Sequence, residues 1–550
     1  MPLAGKIFIF YITTFFKEKI MSNTFYITTP IYYPSRKFTL GNCYTTVICD
    51  AVARFNKLLG KDVFFMTGTD EHGQKIAQAA KNAGKTEMEY LDEIIADAKN
   101  LWELLDIKYD KFIRTTDDYH VSSVQKIFRK LYDKGYIYKS AYKGKYCVPC
   151  ESFWTESQLK DGKCPDCNRD VIDQEEESYF FKLSEFGDKL LELYKNNPEF
   201  LKPESRVNEM VNNFIKPGLS DLCVTRTSVK WGVPVDFDPK HTIYVWIDAL
   251  SNYITGLGYG SEDETLYKKY WPADVHVIGK EIVRFHAIIW PAILMALDIP
   301  LPKRVFGHGW MLFGGDKLSK SKTVATRECV DPRILAPRYT ADAVRYILLR
   351  EIPFGSDGNY STELFLNSIN SDLANNYGNL VSRTFSMLKK YQGSVIPKAY
   401  AEEDIDKELK SDIEKFVEET KGHIETNFDV SKALASIFEI FSKANKYIDV
   451  TEPYRLAKDE TKKERLDTVM RNLLESIRVG TILLSAFLPG CTEKVKNALG
   501  LKEFKFEDAQ EFYKLKDGET VVDIGILFPR LDVEKELEEL AKIEEEKETK

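Results

Sequence analysis

The sequence predicts an α/β protein: a parallel, doubly wound sheet interrupted by a metal-stapled insertion and followed by an all-helical bundle. Three observations carry that expectation. Residues 25–66 read as strand, loop, helix and strand, a βαβ order that requires parallel pairing. Residues 118–230 break the alternation and contain two C-x-x-C pairs. From Glu363 to about Gly500 the pattern is long amphipathic helices with few prolines, which predicts a bundle.

A chain of 550 residues is too long for one core and should divide into three or four domains. It is 43% apolar and 29% charged, ordinary values for a globular protein. The net charge of −8 means that a nucleic-acid partner must meet a local basic surface. Residues 1–20 are expected to be an appendage, with Met21 the natural start. The apolar run Ile7–Phe16 is ten residues long, too short to span a bilayer, and no small-residue cleavage site follows it.

Taken in order, Phe25–Thr29 is β-branched and aromatic, a strand stopped by Pro30. Pro30–Phe38 is a loop. Residues 43–59 carry apolar positions at helical spacing and end at Gly60. Val63–Met66 is a second buried strand, and Thr67–Gly73 is the loop at its carboxyl end, where such sheets bind ligands. The insertion carries an acidic stretch at Asp173–Glu177 and a lysine-rich helix near 185–196. Sheet-like segments resume at Thr242–Ile247 and Val275–Gly279. Leu531–Lys550, with nine acids and four lysines, reads as a solvated helix.

The four cysteines Cys147, Cys150, Cys164 and Cys167 form two pairs separated by thirteen residues. C-x-x-C spacing lets two sulfurs point at one ion from a tight turn, and Pro149 and Pro165 fix those turns. Four sulfurs suit zinc, and four protein ligands leave no open position, so the metal is expected to be structural. The alternatives are a degenerate knuckle and a redox dithiol. The other five of nine cysteines are scattered and odd in number, which fits reduced thiols in a cytoplasm.

Lys317-Leu-Ser-Lys-Ser321 places two lysines three apart with hydroxyls between, a pattern able to bind a polyphosphate whose charge grows in a transition state. Alone it is weak, since lysines and serines crowd many surface loops. Its company gives it weight. Thr29-Pro-Ile-Tyr-Tyr-Pro34, Thr69-Asp-Glu-His-Gly73, Tyr244-Val-Trp-Ile-Asp-Ala249, Gly279–His286 with Trp290-Pro291, and Val305–Trp310 precede the lysine-serine loop in fixed order. Over about residues 24–540 the chain resembles the bacterial methionyl-tRNA synthetases of class I.

The resemblance implies a Rossmann-like catalytic domain in two halves, 21–117 and 231–325, around the insertion 118–230. A stem-contact linker (326–362), an anticodon-binding helical bundle (363–500) and a carboxyl-terminal segment (501–550) would follow. It implies activation of methionine with ATP and transfer to the 3′ end of methionine tRNA, with Mg²⁺ accompanying ATP. Ile31, Tyr33, Asp70, Trp246, Ala249, Tyr253 and His286 would hold methionine, whose polarisable thioether packs well on rings. Asp70 would take the ammonium, and Tyr253 and His286 would lie near the sulfur. Glu281 would serve that polar end or the ATP ribose. Gly41, His308, Gly309, Ser319 and Lys320 would contact ATP, and Lys317 and Lys320 the pyrophosphate.

One departure is plain. Where the class carries H-x-G-H, this chain has Thr39-Leu-Gly-Asn42. Asparagine in the second place occurs elsewhere in the class; threonine in the first is odder. Both can hydrogen-bond phosphate oxygens, but neither can carry an imidazolium charge. The alternative function, a synthetase-like tRNA-binding protein with lost or weak activation, rests on that replacement and is opposed by the intact Lys317–Ser321 loop. Asn379 and Arg383, one helical turn apart, resemble the family's anticodon-reading pair, with Tyr454 where a tryptophan usually stacks. No carboxyl-terminal OB-fold is in the sequence, so a monomer is expected, with no membrane association.

Overall fold

The computed structural model describes residues 23–150, 152–154, 156, 159–313, 316–317, 329–352 and 354–548. The expected appendage at 1–20 lies outside the described residues. The fold divides into two compact units. One is built from the described residues up to Phe38, in 64–99 and in 109–307; the other from those in 39–63, in 100–108 and from His308 on.

The expected sheet is present. Six strands lie in the order Lys111–Arg114, Asp62–Thr69, Thr24–Thr28, Val275–Gly279, Val305–His308 and Leu201–Lys202. Met66 pairs in parallel with Lys111, Ile27 with Val275, and Val305 with Leu201. Near-continuous burial along Val63–Thr69 and Val275–Gly279 is what a sheet covered on both faces demands. The Thr67–Thr69 part of the expected loop belongs to the strand, and the loop proper begins at Asp70.

Thr242–Ile247 is only half a strand. Asp238–Ile243 pairs antiparallel in a separate three-stranded sheet, and Val245–Thr255 is a helix starting after extended Tyr244. The β-branched run hid that switch. Its consequence is that Trp246 and Tyr253, seven residues apart, share one helical face.

The insertion forms a four-stranded sheet in the order Ser152–Trp154, Ile137–Cys147, Ile172–Phe181 and Leu222–Cys223. The acidic stretch lies opposite the lysines of the neighbouring strand. Lys145 meets Asp173 at 2.7 Å and Lys139 meets Glu177 at 2.8 Å, opposite charges at cross-strand positions.

The second unit is largely helical, with Asp404–Glu425, Val430–Thr451 and Lys463–Leu484 as its long members. The last is buried from Leu466 to Leu484, charged residues included. Glu475 accepts from Arg471 Nε at 3.0 Å and from Arg478 Nε at 2.5 Å. It also accepts the backbone N–H of Lys514 and Leu515 at 3.0 and 2.9 Å. Arg478 donates onward to the carbonyls of Asp508, Glu511 and Phe512. Residues spaced i, i+4 and i+7 on this helix therefore pin the 508–515 segment. The acidic helix, Val533–Glu548, is anchored rather than wholly solvated. Its Glu536 and Glu539 accept from Arg338, and Leu540 is buried.

Candidate active site and cysteine knuckle

In the first unit, the loop after Thr28 runs beside the end of the Asp62–Thr69 strand. Tyr32 N–H donates to the Gly68 carbonyl and Asp70 N–H to the Tyr32 carbonyl, both at 2.9 Å. The expected amino-acid loop and acidic loop are thus brought together, with Asp70 beside Tyr32. Glu71 and His72, which carry no expected role of their own, anchor the acidic loop. Buried Glu71 accepts from Arg114 Nε at 2.8 Å and from the Thr116 and Thr69 hydroxyls at 2.5 Å. His72 Nδ1 lies 2.7 Å from Asp248, and His120 Nε2 lies 2.9 Å from that carboxylate's other oxygen. Trp231 Nε1 donates to the Glu71 carbonyl at 2.6 Å, and Gly73 N–H donates back to the Trp231 carbonyl at 3.1 Å.

Burial pushes the Asp248 carboxyl up, but the charge of His72 and hydrogen bonds from both imidazoles bring it down to about 2. Asp248 stands 176 positions from His72 and 128 from His120, so no sequence spacing signals the cluster.

The aromatic residues expected to wall the pocket sit on the Val245–Thr255 helix and the segment after Gly279. Trp246 stacks on Phe285 with ring centroids 3.3 Å apart and planes 12° apart. Tyr253 Oη lies 2.7 Å from His286 Nε2, and His286 Nδ1 lies 2.9 Å from the Ile282 carbonyl. A carbonyl can only accept, so Nδ1 carries the proton and Nε2 accepts from Tyr253. Burial lowers His286 to about 4, so the ring is neutral at pH 7. His276, absent from the expected set, lies against Tyr253 with ring centroids 4.1 Å apart and bonds the Thr28 hydroxyl at 2.8 Å. Ala249 is buried, and Ile31 and Tyr33 are half-buried. Tyr33 packs on the small Ile76–Leu91–Ile95 cluster, with Lys75 Nζ 5.5 Å from its ring centre. Glu281 is exposed, one turn before Phe285.

In the second unit, Thr39 and Asn42 close a capping box at the start of the Leu40–Leu58 helix. Thr39 N–H donates to Asn42 Oδ1 at 3.0 Å. A Cβ at exposed Gly41 would meet only Thr39 Oγ1, at 3.8 Å, so packing does not require glycine there. Gly309 differs: its Cβ would fall 2.1 Å from the Ser356 backbone, so packing alone demands glycine. His308 is buried, with Nε2 2.7 Å from Thr45 Oγ1, Nδ1 2.7 Å from the Gly309 carbonyl, and its ring edge-on to Tyr44. Lys317 pairs with Leu312 in a short antiparallel ladder beside the Met311–Phe313 strand. Ser319 and Lys320 lie outside the described residues.

Asn379 begins the Asn379–Gln392 helix, and Arg383 is one turn along it, 3.5 Å from Asp449. Tyr454 is 45% exposed on the short Pro453–Leu456 helix, its hydroxyl donating to Glu452.

The four cysteines converge in the insertion. Their sulfurs lie within 4.8 Å of one another, with Cys147–Cys167 at 3.5 Å and Cys164–Cys150 at 3.8 Å. Sulfurs about 2.3 Å from a tetrahedral zinc stand about 3.8 Å apart, so the cage fits. Cys147 and Cys164 are buried against Trp154. Burial pushes the Cys147 thiol up to about 12 and raises Cys150 as well, while hydrogen bonds from its neighbours outweigh burial and lower Cys167, so the charge in the cage is unevenly favoured and a cation would stabilise the two raised thiolates. Asn168, in the left-handed region at φ 55°, turns the chain past Cys167. Among the described residues, no helix is long and apolar enough to cross a membrane.

Comparisons with known proteins bear on the family and the fold. Residues 25–175 and 169–385 match the family model for tRNA synthetases of class I (M), and residues 396–545 match the anticodon-binding domain of methionyl tRNA ligase. A methionine–tRNA ligase of Clostridium perfringens is 56% identical over 519 residues, 94% of this chain and 79% of that protein. One from Caldanaerobacter subterraneus is also 56% identical, over 96% of this chain and 82% of that protein. The solved Mycobacterium tuberculosis methionyl-tRNA synthetase in complex with methionyl-adenylate superposes with a TM-score of 0.88 at 39% identity. The match covers 93% of this chain and all of that one. The chain belongs to the methionyl-tRNA synthetases, in class I of the tRNA synthetases.

Proposed function

We propose that the protein is a methionine–tRNA ligase in which methionine meets ATP to give methionyl adenylate and pyrophosphate, and a ribose hydroxyl at the tRNA 3′ end then takes the methionyl group. The observation that carries this is the neutral Tyr253–His286 pair beside the Trp246–Phe285 stack. Aromatic faces suit a polarisable thioether, and an uncharged imidazole offers it no ion that would favour a more polar side chain. Ile31, Tyr33 and Ala249 complete the walls, and Asp70 takes the ammonium.

The carboxylate of methionine is the nucleophile at the α-phosphate, so the protein supplies position and charge rather than a covalent partner. Thr39 and Asn42 steady phosphate at a helix N-terminus, where backbone N–H groups already favour anions. Exposed Gly41, with no packing reason to be glycine, fits a close approach of ligand to backbone. His308 and Gly309 shape the ATP side and Glu281 meets the ribose. Lys317, Ser319 and Lys320 hold the departing pyrophosphate. Mg²⁺ bound to ATP would neutralise part of the phosphate charge. Zinc held by Cys147, Cys150, Cys164 and Cys167 would be structural, with every position filled by protein. Asn379, Arg383 and Tyr454 read anticodon bases.

Methionine-dependent exchange of pyrophosphate into ATP tests the reading. Wild type is expected to exchange, and Thr39→His with Asn42→His to tune the rate. Exchange absent from wild type and present only in the double variant would favour a tRNA-binding protein without activation.

A further inference from the structure

We propose that Arg284 is a positioning residue shared by the cysteine knuckle and the methionine pocket, making the Trp246–Phe285 stack depend on an intact knuckle. This rests on the reading of Trp246 as a pocket wall. The guanidinium lies 5.1 Å from the ring centre of Trp154, 5.3 Å from that of Phe214 and 4.8 Å from that of Phe285. It lies 3.8 Å from the carboxylate of Asp166, which stands between Cys164 and Cys167. Trp154 packs directly on Cys147 and Cys164. A continuous path therefore runs from the cysteines through Trp154 and Arg284 to Phe285, and from Phe285 onto Trp246.

The residue type suits the place. Arginine is flat, stays charged, stacks on rings and still reaches a carboxylate; lysine does not combine these. Its side chain is only 22% exposed, so its charge acts in a poorly solvated site. Four thiolates around a divalent zinc leave a net charge of about −2, which a nearby guanidinium offsets. Two of the four groups around Arg284, Trp154 and Asp166, belong to the knuckle. Disordering the knuckle removes them together. Among the described residues, Arg284 then keeps Phe214 and Phe285, the ring that must stay flat against Trp246.

The test uses the full-length, zinc-loaded protein. Zinc release to a colorimetric chelator and the methionine KM and kcat in pyrophosphate exchange are measured for wild type, Arg284→Leu, Arg284→Lys and Asp166→Asn. Arg284→Leu is expected to release zinc about tenfold faster and to raise the methionine KM about tenfold, with kcat and the ATP KM changed less than about twofold. Arg284→Lys should recover only part of both effects. Stripping zinc from wild type should raise the methionine KM alike, and stripping Arg284→Leu should add little more, because both act on one path. Faster zinc release with an unchanged methionine KM overturns the proposal, as do stripping and substitution effects that multiply. If Arg284→Leu does not fold, Asp166→Asn decides: about a threefold change in both measurements supports the coupling, and none in either refutes it. Trp246→Ala separates the premises. An unchanged methionine KM there removes the pocket reading; a raised KM there with Arg284→Leu unaffected removes the coupling alone.

Discussion

Asp248 in the first unit and Glu475 in the second are both buried carboxylates, each held between two nitrogen-bearing side chains of one type, but the types differ. Asp248 sits between imidazoles, 2.7 Å from His72 and 2.9 Å from His120. Glu475 sits between the guanidiniums of Arg471 and Arg478. A guanidinium is a permanent cation, whereas an imidazole can give up its proton near neutrality. The difference teaches that the helical core is locked by charges that cannot be turned off. The acidic loop beside the proposed pocket is held instead by hydrogen bonds to imidazoles, a side-chain type whose charge is not permanent.

The largest effect should come from breaking the lock. Glu475→Ala leaves two buried guanidiniums short of their shared anion and should cost about 4 kcal/mol in urea unfolding. A loss below about 1 kcal/mol would mean that the carbonyls of the 508–515 segment suffice, and the contrast would fall.

Asp248→Asn should cost less, about 2 kcal/mol, because an amide still bonds one imidazole. Its signature should be functional: a methionine KM raised about tenfold with kcat less affected, since the acidic loop and Asp70 lose their support. A stability loss with unchanged KM would make Asp248 a second lock.

Acid sharpens the same point. The Asp248 carboxyl is held down at about 2 when folded, and an unfolded aspartate titrates near 4, so its contribution is complete above about pH 4 and lost as the pH falls toward 2. That contribution is about 2 kcal/mol. The stability gap between wild type and Asp248→Asn should therefore narrow across that window. A gap that stays constant from pH 5 to pH 2 would show that the imidazoles do not lower this carboxyl.

The smallest structural effect belongs to the surface. Arg383 and Asp449, 39% and 70% exposed at 3.5 Å, form an ion pair worth under about 0.5 kcal/mol. Arg383→Ala should leave unfolding and pyrophosphate exchange almost unchanged while slowing tRNA charging about tenfold. Normal charging would remove Arg383 from the anticodon reading.

These contrasts also mark what the sequence could disclose. The cysteine cage was legible because C-x-x-C spacing is local and its geometry follows from covalent reach. The parallel sheet was legible from apolar, β-branched runs in a strand-helix-strand order. The helix at Val245 was not, because β-branched and aromatic residues fit a strand and a buried helix equally well. The His72–Asp248–His120 chain and the Arg471–Glu475–Arg478 clamp were hidden for different reasons. The first joins residues far apart in sequence. The second has helical spacing, but so do solvated ion pairs, and only burial tells them apart. Gly309 reads as a ligand glycine in sequence, and its near-contact with Ser356 gives it a packing reason visible only in three dimensions.

The capping box at Thr39 and Asn42 has a consequence for inheritance. The Thr39 backbone N–H donates to Asn42 Oδ1, so that bond needs the side chain at 42 and not the one at 39. Replacing Asn42 leaves a helix-end donor uncapped, at about 1 kcal/mol, whereas replacing Thr39 leaves this bond in place. The two positions are therefore unequal in what a change costs: a histidine at 42 carries a folding cost through this bond that a histidine at 39 does not, a cost set by the helix end rather than by the reaction.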